Sequence, residues 1–276
     1  MNPHSPNSAS PVHLARVVWR NKYLIQKMIW RDIAGRYRGS LMGLMWSFLH
    51  PLLMLFVYTF VFSVVFKAKW DVGTGESRTV FAIVLFVGLL IHGLLGEVLN
   101  RSPNTVISQV NYVKKVVFPL ELLPIITLGS ALFHLLISVL VLILAMLALS
   151  VELHVTMLLF PLVLLPMIPL ALGCSWGLAA LGVYVRDIGQ LMGIITTVLL
   201  FLSPIFFPID TLPPAYHPLI MANPLTLIIG ESRAVLLWGQ APDWSALGLY
   251  LVGATLFCWA GFVAFQKMRK GFADVL

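Results

Sequence analysis

Six stretches of this sequence are long, apolar and almost free of charge, and they constrain the fold more than any other feature. They lie at about 41–66, 80–99, 116–149, 156–185, 191–207 and 246–265. Each is near or above the ~20 residues that an α-helix needs to cross a bilayer. Only 11% of the 276 residues are charged and 59% are hydrophobic, against about 25% charged in an ordinary soluble domain. With a mean hydropathy of +0.94, the chain cannot cover its own surface with polar groups, so lipid must. In lipid every backbone N–H and C=O needs an internal partner, which selects helices. The expected fold is all-α and polytopic, with six transmembrane helices.

Shorter features fill in the outline. Residues 1–10 are polar and rich in Pro and Ser, as in a disordered tail, and no apolar run follows closely enough to make a signal peptide. Residues 11–38 mix Val, Leu, Ile and Trp with Arg16, Arg20, Lys22, Lys27 and Arg31, the pattern of an amphipathic helix in the headgroup layer. Pro161, Pro166 and Pro169 should bend or interrupt the fourth span. Residues 208–240 contain five prolines between apolar pieces too short to cross. They are read as an external re-entrant hairpin of half-helices, buried by protein. The remainder, 11–276, is one transmembrane domain. Cys174 and Cys258 lie inside apolar runs with no metal spacing, and are read as buried thiols.

Charge sets the orientation. Six spans place both termini on one side, and the loops on that side carry fourteen Lys and Arg, against four (Lys67, Lys69, Arg78, Arg233) on the other. The positive-inside rule makes the termini cytoplasmic. The net charge of +7 thus reports topology, and nucleic acid is not an expected partner.

The chemistry of an energised transporter is incomplete. Ion-coupled carriers place ionisable groups within their spans. Here the acids lie in loops or, as Glu97 and Glu121, near span ends, and His50, His92 and His134 read as packed side chains. A phosphate-binding GxxxxGK[ST] loop is absent, as is any Gly-Lys dipeptide. If ATP drives this chain, hydrolysis belongs to a separate subunit, and ATP and Mg are cofactors of that partner. Neither GxSxG nor HExxH occurs, so no catalytic residue and no metal ligand is nominated.

Several segments, taken together and in order, carry a resemblance. Trp30–Phe62 (WRDIAGRYRGSLMGLMWSFLHPLLMLFVYTFVF), Asn111–Ile125 (NYVKKVVFPLELLPI), Arg186–Asp187, Ser203–Gly239 and the tail Phe272–Leu276 resemble ABC-2 type permeases for polysaccharide export, the group that includes O-antigen and teichoic-acid exporters. The resemblance implies a homodimer in the bacterial inner membrane with two copies of an ATP-binding subunit on its cytoplasmic face. It implies as substrate a glycan on undecaprenyl pyrophosphate, with O-antigen first, and teichoic acid or capsule as alternatives. A membrane enzyme acting on lipid-linked sugar, or a drug or small-lipid exporter of the same superfamily, stays open.

Three sets of residues are nominated. Arg31, Arg36 and Arg38 cluster where the interfacial helix meets span one, placed for a lipid pyrophosphate or for topology and anionic lipid. Val106, Gln109, Asn111, Tyr112, Lys114 and Lys115 lie in the connection between spans two and three, which the resemblance makes the dock for the ATPase, with Arg186 and Asp187 as a second contact. Trp46, Phe56, Tyr58, Phe60, Phe62 and Phe66 of span one, with Phe206 and Phe207 of span five, are aromatics on which a sliding glycan could stack, although such stripes also serve packing.

Overall fold

A computed structural model of the chain describes residues 10–61, 78–114 and 118–276. The tail 1–9, Phe62, Phe66 and Lys115 lie outside them. Among the described residues the secondary structure is helical throughout, with no strand.

The amphipathic segment is two helices, α1 (Pro11–Arg20) and α2 (Lys22–Arg36). The break is at Asn21, whose side-chain amide donates to the Val17 carbonyl at 2.8 Å, the local competition with the helix ladder that Asn favours. This corrects the single helix 11–38. Nor does α2 rest only on lipid. Ile25, Met28 and Ile33 are buried, and Ile29 fills the notch left by the missing side chain of Gly129. Gly39 (φ 84°) and Gly43 (φ 53°) turn the chain toward the next helix through conformations that favour glycine.

That helix, α3 (Met45–Tyr58), continues in wider turns to residue 61. Next, α4 (Arg78–Arg101) is the hub, packed against α3 and four later helices. Of its most apolar window, 78% is buried inside the protein, so it is a core helix with little lipid contact. Two 3-10 turns, Ser102–Asn104 and Ile107–Gln109, lead to the short helix α5 (Val110–Lys114). Then α6 (Leu122–Ala148) starts six residues later than the expected 116, after Pro119.

The fourth run is interrupted as its prolines require. A 3-10 turn, Val155–Leu159, leads into α7 (Phe160–Leu164), and Pro166 separates this from α8 (Met167–Tyr184). In the fifth, α9 (Ile188–Leu202) stops because Ser203 is extended (φ −89°, ψ 150°) ahead of Pro204, the conformation imposed on a residue preceding proline. Phe206 and Phe207 therefore lie beyond the helix. The proline-rich segment forms α10 (His217–Met221) and α11 (Pro224–Leu237); α11 meets the residues 214–221 at 94°, the shape of a broken span or a re-entrant loop. Finally α12 (Trp244–Met268) is capped by Asp243, and α13 (Phe272–Val275) ends the chain. Hydrogen bonds from the Ser245 hydroxyl and from backbone N–H groups hold the Asp243 carboxyl below its usual pKa.

Four helical stretches among the described residues are long and apolar enough to cross a bilayer: Val80–Asn104, Leu122–Ala148, Val155–Tyr184 and Trp244–Val275. The bent pair is a possible fifth, and Met45–Val61 and Ile188–Leu202 are shorter. At 1.5 Å per residue the 15-residue α9 spans only ~22 Å, less than the ~30 Å hydrocarbon core.

The most extensive helix pair is α8 with α12. A Cβ at Gly261 would collide with the Gly173 carbonyl, and one at Gly173 would come within 2.9 Å of the Cys258 Cα. Such small-residue contacts let helix backbones approach in lipid, where apolar burial gives no drive toward association. Cys174 and Cys258 are free, half-buried thiols at this crossing.

Candidate functional site

At one end of the bundle α2, α4 and α6 bring five ionisable side chains together. The fork of Arg101 holds Asp32 through one nitrogen at 2.6 and 2.8 Å, and Ser130 donates to the same carboxylate at 2.6 Å. Arg36 pairs with Glu97 at 2.6 Å and Arg101 with Glu97 at 3.2 Å. His134 Nδ1 lies 3.1 Å from Arg36 and 3.0 Å from Glu97. A guanidinium only donates, so a bare Nδ1 accepts from Arg36 while a protonated one donates to Glu97. The Tyr37 hydroxyl meets Nε2 at 3.2 Å, and burial holds that phenol above its usual pKa. The network closes α2 onto two spans with its charges matched, two cations to two acids.

Two cavities flank the network. One, of about 650 Å³, is lined by Arg31, Arg36 and Arg101 with Asp32 as its acid, and by Asn100, Asn104, Ser108 and Thr127 among its uncharged groups. Since Glu97 pairs with Arg36 and Arg101 behind this wall, the unmatched positive charge of the cavity is that of Arg31. The other, of about 550 Å³, is lined by Ser47, His50, Tyr58, Phe86, Glu97 and Ser138 among others. Arg36, Asn100 and Arg101 border both, so the ion network is the partition between them.

The nominated arginines separate in space. Arg31 is exposed, 6.0 Å from the centre of the Tyr112 ring. Arg36 is committed to Glu97. Arg38 lies in the exposed turn after α2 and does not line the cationic cavity. Arg101, read from sequence as a topology charge, takes its place. Glu97 and Arg101 stand at i, i+4, a spacing that favours pairing and that could have flagged them.

The connection after α4 is an anchored layer. Val106 is fully buried and lies on the inner side of this layer. Tyr112 is half-buried and stacked on Phe118 at 4.7 Å. Gln109 is half-buried and lines the cationic cavity. Asn111 and Lys114 are exposed, as are Arg186 and Asp187 in the break between α8 and α9. Ser102 donates to Ser175 at 2.7 Å, and a Cβ at Gly182 would collide with the Pro103 carbonyl, so this layer is bound tightly to α8. The piece Phe118–Glu121 is tied down as well: Glu121 pairs with Arg269 at 2.7 Å, and Trp176 donates to its carbonyl at 3.1 Å. Phe272 of the tail is fully buried, edge-on to Phe265.

The aromatics do not share one face. Trp46, Phe56 and Phe60 are exposed, while Tyr58 turns into the 550 Å³ cavity. Phe206 and Phe207 are half-buried, Phe206 stacked on Phe201 at 5.7 Å.

Comparison with known proteins places this geometry. Residues 23–237 match the family described as ABC-2 type transporter. A Myxococcus xanthus protein named O-antigen export system permease protein RfbA is 24% identical over 265 residues, covering 95% of this chain and 99% of that protein. Two Klebsiella pneumoniae proteins of the same name are each 24% identical over 247 residues, covering 89% of this chain and 92% of theirs. With more than half of its length matched by the family, this all-helical membrane chain belongs to the ABC-2 type transporters.

Proposed function

We propose that the chain is the membrane-spanning permease of an ATP-driven exporter of undecaprenyl-pyrophosphate-linked polysaccharide, with O-antigen as the substrate. The observation that carries this reading is the near full-length match to relatives named as O-antigen export permeases. Two copies form the channel, and two separate ATP-binding subunits supply the energy. The chain lies in the bacterial inner membrane with both termini cytoplasmic and six crossings: α3 with its extension to residue 61, α4, α6, α7–α8, α9 and α12. The bent α10–α11 pair is the external re-entrant element. Arg233 is buried and leaves the loop count, so the cation asymmetry becomes fourteen against three and supports this orientation more strongly.

The cationic cavity is suited to a diphosphate, because guanidinium groups bind phosphate oxygens through charge-assisted hydrogen bonds. Asn111 and Lys114 on α5, with Arg186 and Asp187, offer the surface for the ATPase, and buried Val106 with stacked Tyr112 anchors it. Rigid attachment of this layer to α8 would carry subunit motion into the spans.

Cells lacking the chain should lose the glycan from their surface and retain it on undecaprenyl pyrophosphate inside. Wild-type chain should restore export. Arg31→Gln should reduce export about tenfold or more, the loss of one charge-assisted contact to phosphate, in protein that inserts normally. Cysteines at 111 and 114 should crosslink to the ATPase, and one at 106 should not. Surface glycan unaffected by deletion would refute the export reading. Full export by Arg31→Gln would refute only the role of the cavity.

A further inference from the structure

We infer that the groove between α2 and α6 is the seat of one anionic phospholipid, with an acyl chain along the groove and its phosphate at Lys22. This reading does not depend on the export proposal. Lys22, Ile25, Gln26, Ile29, Trp30 and Ile33 of α2 line a cleft of about 450 Å³. Their spacing is i, i+3, i+4, i+7, i+8 and i+11, one continuous helix face. Ile125 and Phe133 of α6 form the facing wall.

The cleft follows a membrane span. Ile29 fills the notch at Gly129, Asp32 accepts from Ser130, and Arg36 meets His134, so α2 and α6 advance in the same direction. From Lys22 to Ile33 the helix rises ~16 Å, long enough to lie along much of one acyl chain. Apart from Lys22 at the mouth and Gln26, the residues facing it are apolar or Trp. A hydrocarbon chain has no polar group to satisfy there, whereas a peptide would bring backbone N–H and C=O groups that the walls cannot pair.

The mouth is built for an anion. The Lys22 ammonium lies 4.7 Å from the Trp19 ring centre and 5.2 Å from that of Tyr23, and both rings are exposed, as in an aromatic belt at the headgroup level. Residues 11–31 carry Arg16, Arg20, Lys22, Lys27 and Arg31 and no acid. That imbalance is complementary to a phosphate headgroup.

Native mass spectrometry of the purified full chain, titrated with phosphatidylglycerol or phosphatidylcholine, tests the assignment. Wild type should retain one phosphatidylglycerol in preference to phosphatidylcholine. Lys22→Gln should reduce that preference about fivefold, the effect of one lysine at an anionic surface. Gln26→Trp, which fills the groove from its exposed rim, should abolish tight retention of both lipids. Lys27→Gln removes the same charge from a residue that does not line the cleft, and should retain the lipid as wild type does. Equal losses in the Lys22 and Lys27 variants would reduce the effect to diffuse surface charge and overturn the assignment. So would undiminished retention in Gln26→Trp, or a shift of that variant to a smaller oligomer, which would give the groove to a second copy of the chain.

Discussion

Replacing Arg233 by leucine is expected to detach the bent α10–α11 element from the bundle and to lower stability by about 2–6 kcal/mol, the cost of leaving two buried carbonyls without donors. Arg233 is 3% exposed. Its guanidinium donates to the carbonyls of Val84 at 3.1 Å, Pro204 at 2.7 Å and Ile205 at 3.0 Å. Val84 lies in the hub helix α4. Pro204 and Ile205 lie in the break after α9, where no helical N–H is available to their carbonyls. One side chain therefore ties α11 to two other elements. Asn223 donates to Ser203 at 2.9 Å and caps α11 by accepting from Leu225, but it reaches only one side of the joint. Arg233→Lys should not restore stability, because a point charge on a flexible stem cannot reproduce a planar fork addressing three carbonyls. Thermal unfolding in detergent, with protease accessibility of the 208–224 segment, measures both effects. Stability equal to wild type in Arg233→Leu would show that the carbonyls find other partners.

The second large effect is expected at the α8–α12 crossing. Gly261→Ala places a Cβ where the Gly173 carbonyl already lies, and a backbone cannot rotate aside as a side chain can. The helices must separate, at an expected cost of about 1–3 kcal/mol. Gly261→Leu should prevent the pair from docking. The control lies on the same helix: at Gly253 an added Cβ meets nothing within 4 Å, so Gly253→Ala should be neutral or gain up to about 1 kcal/mol from helix propensity. Melting temperatures of the three variants in one detergent check the order. If Gly253→Ala proved as damaging as Gly261→Ala, the cause would be something other than close approach.

Both sites show where a single sequence informs and where it does not. The apolar runs of α4, α6 and α12 were legible because a bilayer demands long uninterrupted hydrophobicity, and the break at Pro166 because proline lacks an N–H. Which span is the hub was not legible. Helix α4 is as apolar as its neighbours, and only packing reveals that it faces protein on most sides. Arg233 was counted as a loop charge because that count assumes a charge lies in water, whereas three carbonyls made burial tolerable here. The close approach at Gly173 on α8 was not legible, because its partner, Gly261, lies 88 residues further on.

The cationic cavity was half legible. Arg31 and Arg36 stood out as a cluster at the foot of span one, and Glu97 and Arg101 are neighbours on one helix, but Glu97 lies 61 residues from Arg36 and Arg101 69 from Asp32, and only tertiary structure joins those two pairs. Val106 was nominated with the polar residues of its connection. Its burial depends on packing against other elements, which a single sequence does not display.

The measurement that tests the central reading most directly is ATP hydrolysis by the assembled transporter. The chain is co-expressed with its ATP-binding subunit, purified in lipid nanodiscs, and assayed with and without undecaprenyl-pyrophosphate-linked glycan. A stoichiometric two-plus-two complex whose hydrolysis rises severalfold with the lipid-linked glycan, and not with the free glycan, is the expected result. A chain that purifies with no ATPase, and that acts on the lipid-linked sugar without ATP, would contradict it.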